Sequence, residues 1–215
     1  MKKIGLFYGT ATAKTAAVAQ KIKEAFGEDI VDIIPVERSD EKEFNAYDHI
    51  IAGSSTWFDG ELPTYWDETL PELATLDLQG KKVALFGLGD QKKYPDNFAD
   101  GIGILARAFT ERGATLIGKT STEGYHFSRS EAVENGQFLG LVIDIENQSD
   151  KTNERIRKWV KQIKTEFEKG APSSDEELLV VTGDIIANTE AIFSLSKSIP
   201  LSEDMPEDYR NIYAR

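Results

Sequence analysis

The 215-residue chain contains no cysteine, which removes disulfides, thiolate-held metals, iron–sulfur clusters and cysteine nucleophiles from its chemistry. A redox role would need a bound organic cofactor. Histidine is nearly as scarce: His49 and His126 have no third ligand at a spacing that builds a metal site, so each reads as a structural or surface residue. No apolar run approaches the roughly 18 residues that cross a bilayer, and a soluble protein is expected. After the basic start Met1-Lys2-Lys3, the apolar stretch breaks at Gly9-Thr10 before a cleavage site develops. It reads as the first strand of a cytoplasmic protein. Positive charge is also short, with 25 Lys and Arg against 37 Asp and Glu and a formal net charge of -12. Such a surface repels nucleic acid and anionic membranes and steers toward a basic protein partner.

What is present is alternation. Apolar strand-like runs at residues 3–8, 30–35, 49–54 and 82–88 are interleaved with amphipathic stretches at 13–26, 65–73 and 98–112. This pattern implies parallel strands joined by helical crossovers. A further strand at 115–118 resumes at 138–145 after the polar, turn-rich segment 120–137. Residues 150–169 read as a last helix, with Ile156, Trp159, Val160, Ile163 and Phe167 on one face. The expected fold is α/β, a doubly wound five-stranded parallel sheet whose last strand is interrupted by a long loop. Trp66 and Trp159 fall at core positions of helices, and the charge run Asp40-Glu41-Lys42-Glu43 reads as a solvated helix or loop.

Gly170-Ala171-Pro172-Ser173-Ser174 ends the pattern with linker chemistry. Two parts follow: residues 1–170 as one domain and 171–215 as an extension. The extension carries nine acidic and three basic residues, half of the formal charge.

Three loops at the carboxyl ends of predicted strands can carry chemistry, because open α/β sheets bind ligands there. The first, Gly9-Thr10-Ala11-Thr12-Ala13-Lys14-Thr15, opens into a helix. Its free amides and hydroxyls suit a phosphate monoester, with an ordinary cap by Thr12 as the alternative. It lacks the spacing of the Walker and dinucleotide loops. The second, Ser54 to Pro63, holds Trp57 beside serine, threonine and glycine, well placed to stack on a flat ligand or to cover the sheet. The third runs from Gly87 to Asn97 and holds Tyr94. Phosphate followed by two aromatics describes a flat heterocycle on a phosphorylated chain.

Thr10-Ala11-Thr12-Ala13-Lys14-Thr15, Thr56-Trp57, Gly87-Leu88-Gly89-Asp90-Gln91 and Tyr94-Pro95-Asp96-Asn97-Phe98 resemble the long-chain flavodoxins in register across residues 2–169. Strand order 2-1-3-4-5 comes from that resemblance, flavodoxin being itself the reference example of this order with FMN at its switch point. The resemblance implies an electron carrier holding FMN. It puts the phosphate on Thr10, Thr12, Lys14 and Thr15 with the backbone of Ala11 and Ala13. The flavin ring would lie between Trp57 and Tyr94. Phe58, Asp59, Gly60, Gly89, Asp90 and Asn97 would meet the ring's polar edge, and Thr56 and Glu146 the ribityl chain. A monomer that docks transiently on ferredoxin/flavodoxin-NADP reductase and a redox acceptor is implied.

Two positions depart from the family pattern. Ala13 stands where glycine is usual, and fits if the backbone there is helical. Phe58-Asp59 puts non-glycine residues on both sides of the peptide next to the flavin, which makes positive φ costly, on the order of 1 kcal/mol. Two rival readings remain: an FMN-dependent quinone reductase of the same fold, and a degenerate relative that serves as a docking or regulatory module.

Overall fold

The structure, a computed structural model, describes residues 3–9, 13–27 and 29–169. The expected extension 171–215 and the candidate residues Thr10, Ala11 and Thr12 lie outside the described residues.

Strands β1 (Ile4–Tyr8), β2 (Val31–Pro35), β3 (His49–Ser55), β4 (Lys82–Leu88) and β5 (Thr115–Ile117) lie in the order β2-β1-β3-β4-β5. Every pairing among them is parallel. The strands form because their side chains alternate between two buried faces. In β4, Val83 and Leu85 enter one core while Ala84, Phe86 and Leu88 enter the other. The first core is closed by α2 (Glu41–Asn45), α3 (Thr64–Glu72) and α4 (Asp100–Thr110), the second by α1 (Ala13–Phe26) and α6 (Thr152–Glu168). Trp66 and Trp159 are buried in these cores as expected, each donating its indole N–H to a backbone carbonyl, of Gly53 and Gly118 respectively.

The interrupted last strand is real, though shorter than expected. The first half of β4 pairs with β5, and its second half pairs with β9 (Leu141–Ile143), register Phe86 to Leu141. Between them, the polar segment is not a plain loop. It holds β6 (Thr120–Ser121), β7 (Val133–Glu134) and β8 (Gln137–Phe138) in a small antiparallel sheet of order β6-β8-β7. The charge run before α2 has a structural task. Asp40 accepts from the amides of Lys42 and Glu43, and Glu43 accepts from the Asp40 amide. This reciprocal cap starts a helix that delivers Phe44 onto Phe7, ring centroids 3.9 Å apart. Among the described residues no helix is long and apolar enough to cross a membrane and no cluster of metal-ligating side chains occurs.

Candidate functional site

In this strand order the chain passes from β1 outward to β2 and then returns to the other side of β1 as β3. The loops after β1 and β3 therefore diverge and leave a crevice at the carboxyl edge of the sheet. The crevice, about 310 Å³, is lined by Thr56, Trp57, Phe58, Gly89, Asp90, Tyr94 and Asn97. A shallower hollow of about 170 Å³ adjoins it, sharing Thr56, Trp57, Gly89, Asp90 and Tyr94 and adding Lys14 and Glu146. The two predicted aromatics thus stand in one site, one from each loop. Tyr94 is 46% exposed, so a planar ligand can reach its ring face. Trp57 is held by its indole N–H donating to the Ser55 hydroxyl, 3.1 Å.

The segment 57–61 is a tight turn. Trp57 and Glu61 exchange backbone hydrogen bonds of 2.8 Å in both directions, and the Gly60 amide donates to the Trp57 carbonyl, 3.1 Å. Closing so few residues forces positive φ at two of them, Phe58 at +42° and Gly60 at +102°. The cost expected for a non-glycine turn is therefore carried by Phe58, whose ring is 73% exposed and meets Trp57 edge-on. Asp59 is exposed and does not line the crevice. Its backbone carbonyl is fixed instead, accepting 3.0 Å from the Asn97 side-chain amide. The same amide donates to Asp100, 3.3 Å, a carboxyl group buried to 1% exposure that also accepts from the Glu131 amide, 2.7 Å. Burial raises the Asp100 pKa above the usual carboxylate value against these hydrogen bonds. A methyl group on Gly60 would lie 2.8 Å from the Asp100 carboxyl oxygen, so glycine is required there on two counts.

The loop after β4 is anchored by another buried acid. Asp144, fully buried, accepts from the Gln91 amide (3.2 Å) and side chain (2.8 Å) and from the Asn147 amide (3.0 Å) and side chain. It caps α5 (Ile145–Gln148). Asn147 reaches on to Asp90, 2.8 Å, and Gln91 accepts from the His126 amide, 2.6 Å. Partial burial pushes the Asp90 pKa up, but donors from Lys93, Asn147 and Lys92 outweigh it, and the net shift is downward. A carboxylate at the crevice wall therefore stays ionised at neutral pH. Gly89 is glycine for packing, since a methyl group there would press on Phe98 at 2.8 Å.

At the phosphate end, Ala13 is the first residue of α1 and is not among the residues of positive φ, so the alanine fits. Lys14 is paired with Glu146 across the hollow. With its cation so engaged, an anion at the start of α1 would be met by the amides of the first helical turn rather than by a free charge. The Thr15 side chain is buried in the helix. Neutral donors at a helix start, an aromatic on each wall and a polar far edge fit a phosphorylated flat ring such as FMN. Sequence reasoning missed Ser55, Leu88 and Ile145 in the lining and Asp100 and Asp144 beneath it. The one available signal was Asp144 preceding Asn147 at capping distance.

A sequence model of the family described as flavodoxin matches residues 6–159. A flavodoxin of Trichodesmium erythraeum is 50% identical over 169 residues, which are 78% of this chain and 99% of that protein. A flavodoxin of a Nostoc species is 48% identical over 166 residues, 77% and 98% of the two chains. Among solved structures, the Fusobacterium nucleatum flavodoxin bound to flavin mononucleotide is 36% identical with a TM-score of 0.74, covering 77% of this chain and 99% of that one. With the matching strand order and a crevice at its switch point, these likenesses show that the chain belongs to the flavodoxin family.

Proposed function

We propose that residues 1–170 form an FMN-binding domain of the long-chain type and that the chain carries electrons between redox proteins. The carrying observation is that Trp57 and Tyr94, from the loops after β3 and β4, line one crevice at the sheet's switch point, in a chain akin to flavodoxins. When bound, FMN supplies the one-electron chemistry. The protein's share is position and field. Residues 10–15 take the phosphate, Trp57 and Tyr94 hold the ring, and the 57–61 turn with Gly89, Asp90 and Asn97 meets its polar edge. Thr56 and Glu146 face the ribityl chain. Asp90 sets a negative charge beside the ring, which disfavours adding electrons and lowers the working potential.

No general acid or nucleophile is needed. The exposed side chains of Phe58 and Tyr94 at the crevice mouth, in a chain of net charge -12, suit a small, salt-sensitive contact with a basic partner. Ferredoxin/flavodoxin-NADP reductase fits that role, with the carrier a cytoplasmic monomer. Titrating apo-protein into FMN tests the reading. Flavin fluorescence is expected to quench to a one-to-one end point, and the complex to accept electrons from NADPH only when reductase is added. Unquenched fluorescence overturns the cofactor assignment, and rapid quinone reduction by NAD(P)H without reductase overturns the carrier role.

A further inference from the structure

A second cavity of about 440 Å³ opens between the start of α6 and the 120–125 segment. It shares no lining residue with the flavin crevice. Lys151, Arg155 and Lys158 line it at helical spacing, so three cations share one face. Against them stand Glu123 in the lining and Glu154, which pairs with Lys158 at 2.6 Å. Lys151 and Arg155 make no ion pair among the described residues. The Arg155 guanidinium carbon lies over the Tyr125 ring, 4.0 Å from its centroid. That ring is fixed by its hydroxyl donating to the Val142 carbonyl, 2.5 Å, and by packing on Phe98 and Phe138. Arg155 Nη1 is buried and has no acceptor. That nitrogen is out of reach of the cavity, but Arg155 as a whole is only part-buried and lines it, so an oxyanion there can meet the rest of the guanidinium.

The long-range field of a chain at -12 repels anions, so any anion affinity must come from local groups. Lys151 and Arg155 offer two cations to an anion, against the single carboxylate of Glu123 in the lining. Ser121 adds a hydroxyl and Leu141 an apolar wall for an organic group. We propose that this cavity is an anion site, separate from the flavin crevice, that takes the phosphate dianion of a small organic phosphate on Arg155 and Lys151. Contact with Tyr125 fixes the orientation of the guanidinium, whose planar fork can make a two-point contact that a lysine at 155 could not.

The test is an amide NMR titration of the full FMN-loaded chain with phenyl phosphate and inorganic phosphate, and with acetate at equal ionic strength. Saturable shifts confined to residues 120–125 and 151–158 are expected with the phosphates and not with acetate. Tighter binding of phenyl phosphate identifies an organic ligand; equal binding identifies free phosphate and overturns that part. Arg155→Gln and the exposed Lys151→Gln should each weaken binding roughly tenfold, as loss of a charge-assisted contact does. Non-saturating shifts, an equal response to acetate, or wild-type affinity in Lys151→Gln overturns the site, the last even if Arg155→Gln does not fold. Shifts at residues 13–15 report the crevice, so failure of the flavin assignment is read separately.

Discussion

Phe58 and Gly60 both hold positive φ, but only one of them can be replaced cheaply. Phe58 stands largely exposed at the crevice mouth, so its strain comes from the backbone alone. Gly60 lies against Asp100 and Asn97, and a methyl group would meet them at 2.8 and 3.0 Å. Gly60→Ala must therefore displace Asn97, whose amide holds the Asp59 carbonyl, and Asp100, which accepts from that amide. The turn shifts at the ring's edge, and FMN binding should weaken at least about tenfold, 1.4 kcal/mol. Phe58→Ala, which keeps the same φ burden and loses only an exposed ring, should stay within about threefold. Fluorescence titrations of the two variants decide it; equal affinities would show that the contact beneath Gly60 is unimportant. The two acids beside the ring also part company. Asp90 lines the crevice and its pKa is lowered, while Asp59 is exposed and its charge is screened by water. Asp90→Asn should raise the midpoint potential of full flavin reduction by on the order of tens of millivolts. Asp59→Asn should raise it less, and a redox titration that reverses this order would remove Asp90 from its assigned role.

At the level of elements, the crevice loops owe their positions to the segment between β5 and β9. Ser128 and Arg129 donate their amides to the Pro95 carbonyl, at 2.9 and 3.0 Å, and Phe127 stacks on Phe98 at 5.2 Å. The insertion thus braces the stretch that carries Asn97. Asp144 does the same for Asp90 from the other side. Removing its carboxylate leaves the Gln91 amide and side chain and the Asn147 amide without an acceptor, so Asp144→Ala should cost about 3–5 kcal/mol in urea unfolding of the apo-protein. Asp144→Asn retains one acceptor oxygen and should cost about half. A loss below 1 kcal/mol in the alanine variant would mean that the network repairs itself.

These supports explain what could be read in advance. The main strands and helices were legible because burial on both faces makes β4 a continuous apolar run and burial on one face imposes period 3.6 on α6. The crevice aromatics were legible because Trp57 and Tyr94 sit among small polar residues at strand ends. Strands of two residues, as in β6, β7 and β8, impose no period, so the insertion read as loop. Buried acids such as Asp100 and Asp144 look in a sequence like any surface acid. Nor does an aromatic announce positive φ, since Phe58 is held there by the Trp57–Glu61 closure and not by its own preference.

For the whole molecule, the position of the last described residue bears on the extension. Because α6 runs opposite to the strands, it ends beside the start of β4, where Lys82 Nζ donates to the carbonyls of Glu166 (2.6 Å) and Lys169. Matches of 166 and 169 residues also cover 98% and 99% of the flavodoxin relatives. A chain ending at Lys169 should therefore fold and bind FMN within about twofold of the full protein. It would nevertheless lose half of the formal charge, and association with a basic reductase depends on the summed field as well as on the contact itself. The shortened chain should show slower association at low ionic strength and a shallower salt dependence, converging with the full chain near 1 M salt, where the Debye length falls to about 3 Å. Stopped-flow mixing of both forms with reductase across a salt series separates the possibilities. Identical salt slopes would make the extension's charge irrelevant to docking, and a tenfold loss of FMN affinity on truncation would show that the domain does not end at 170.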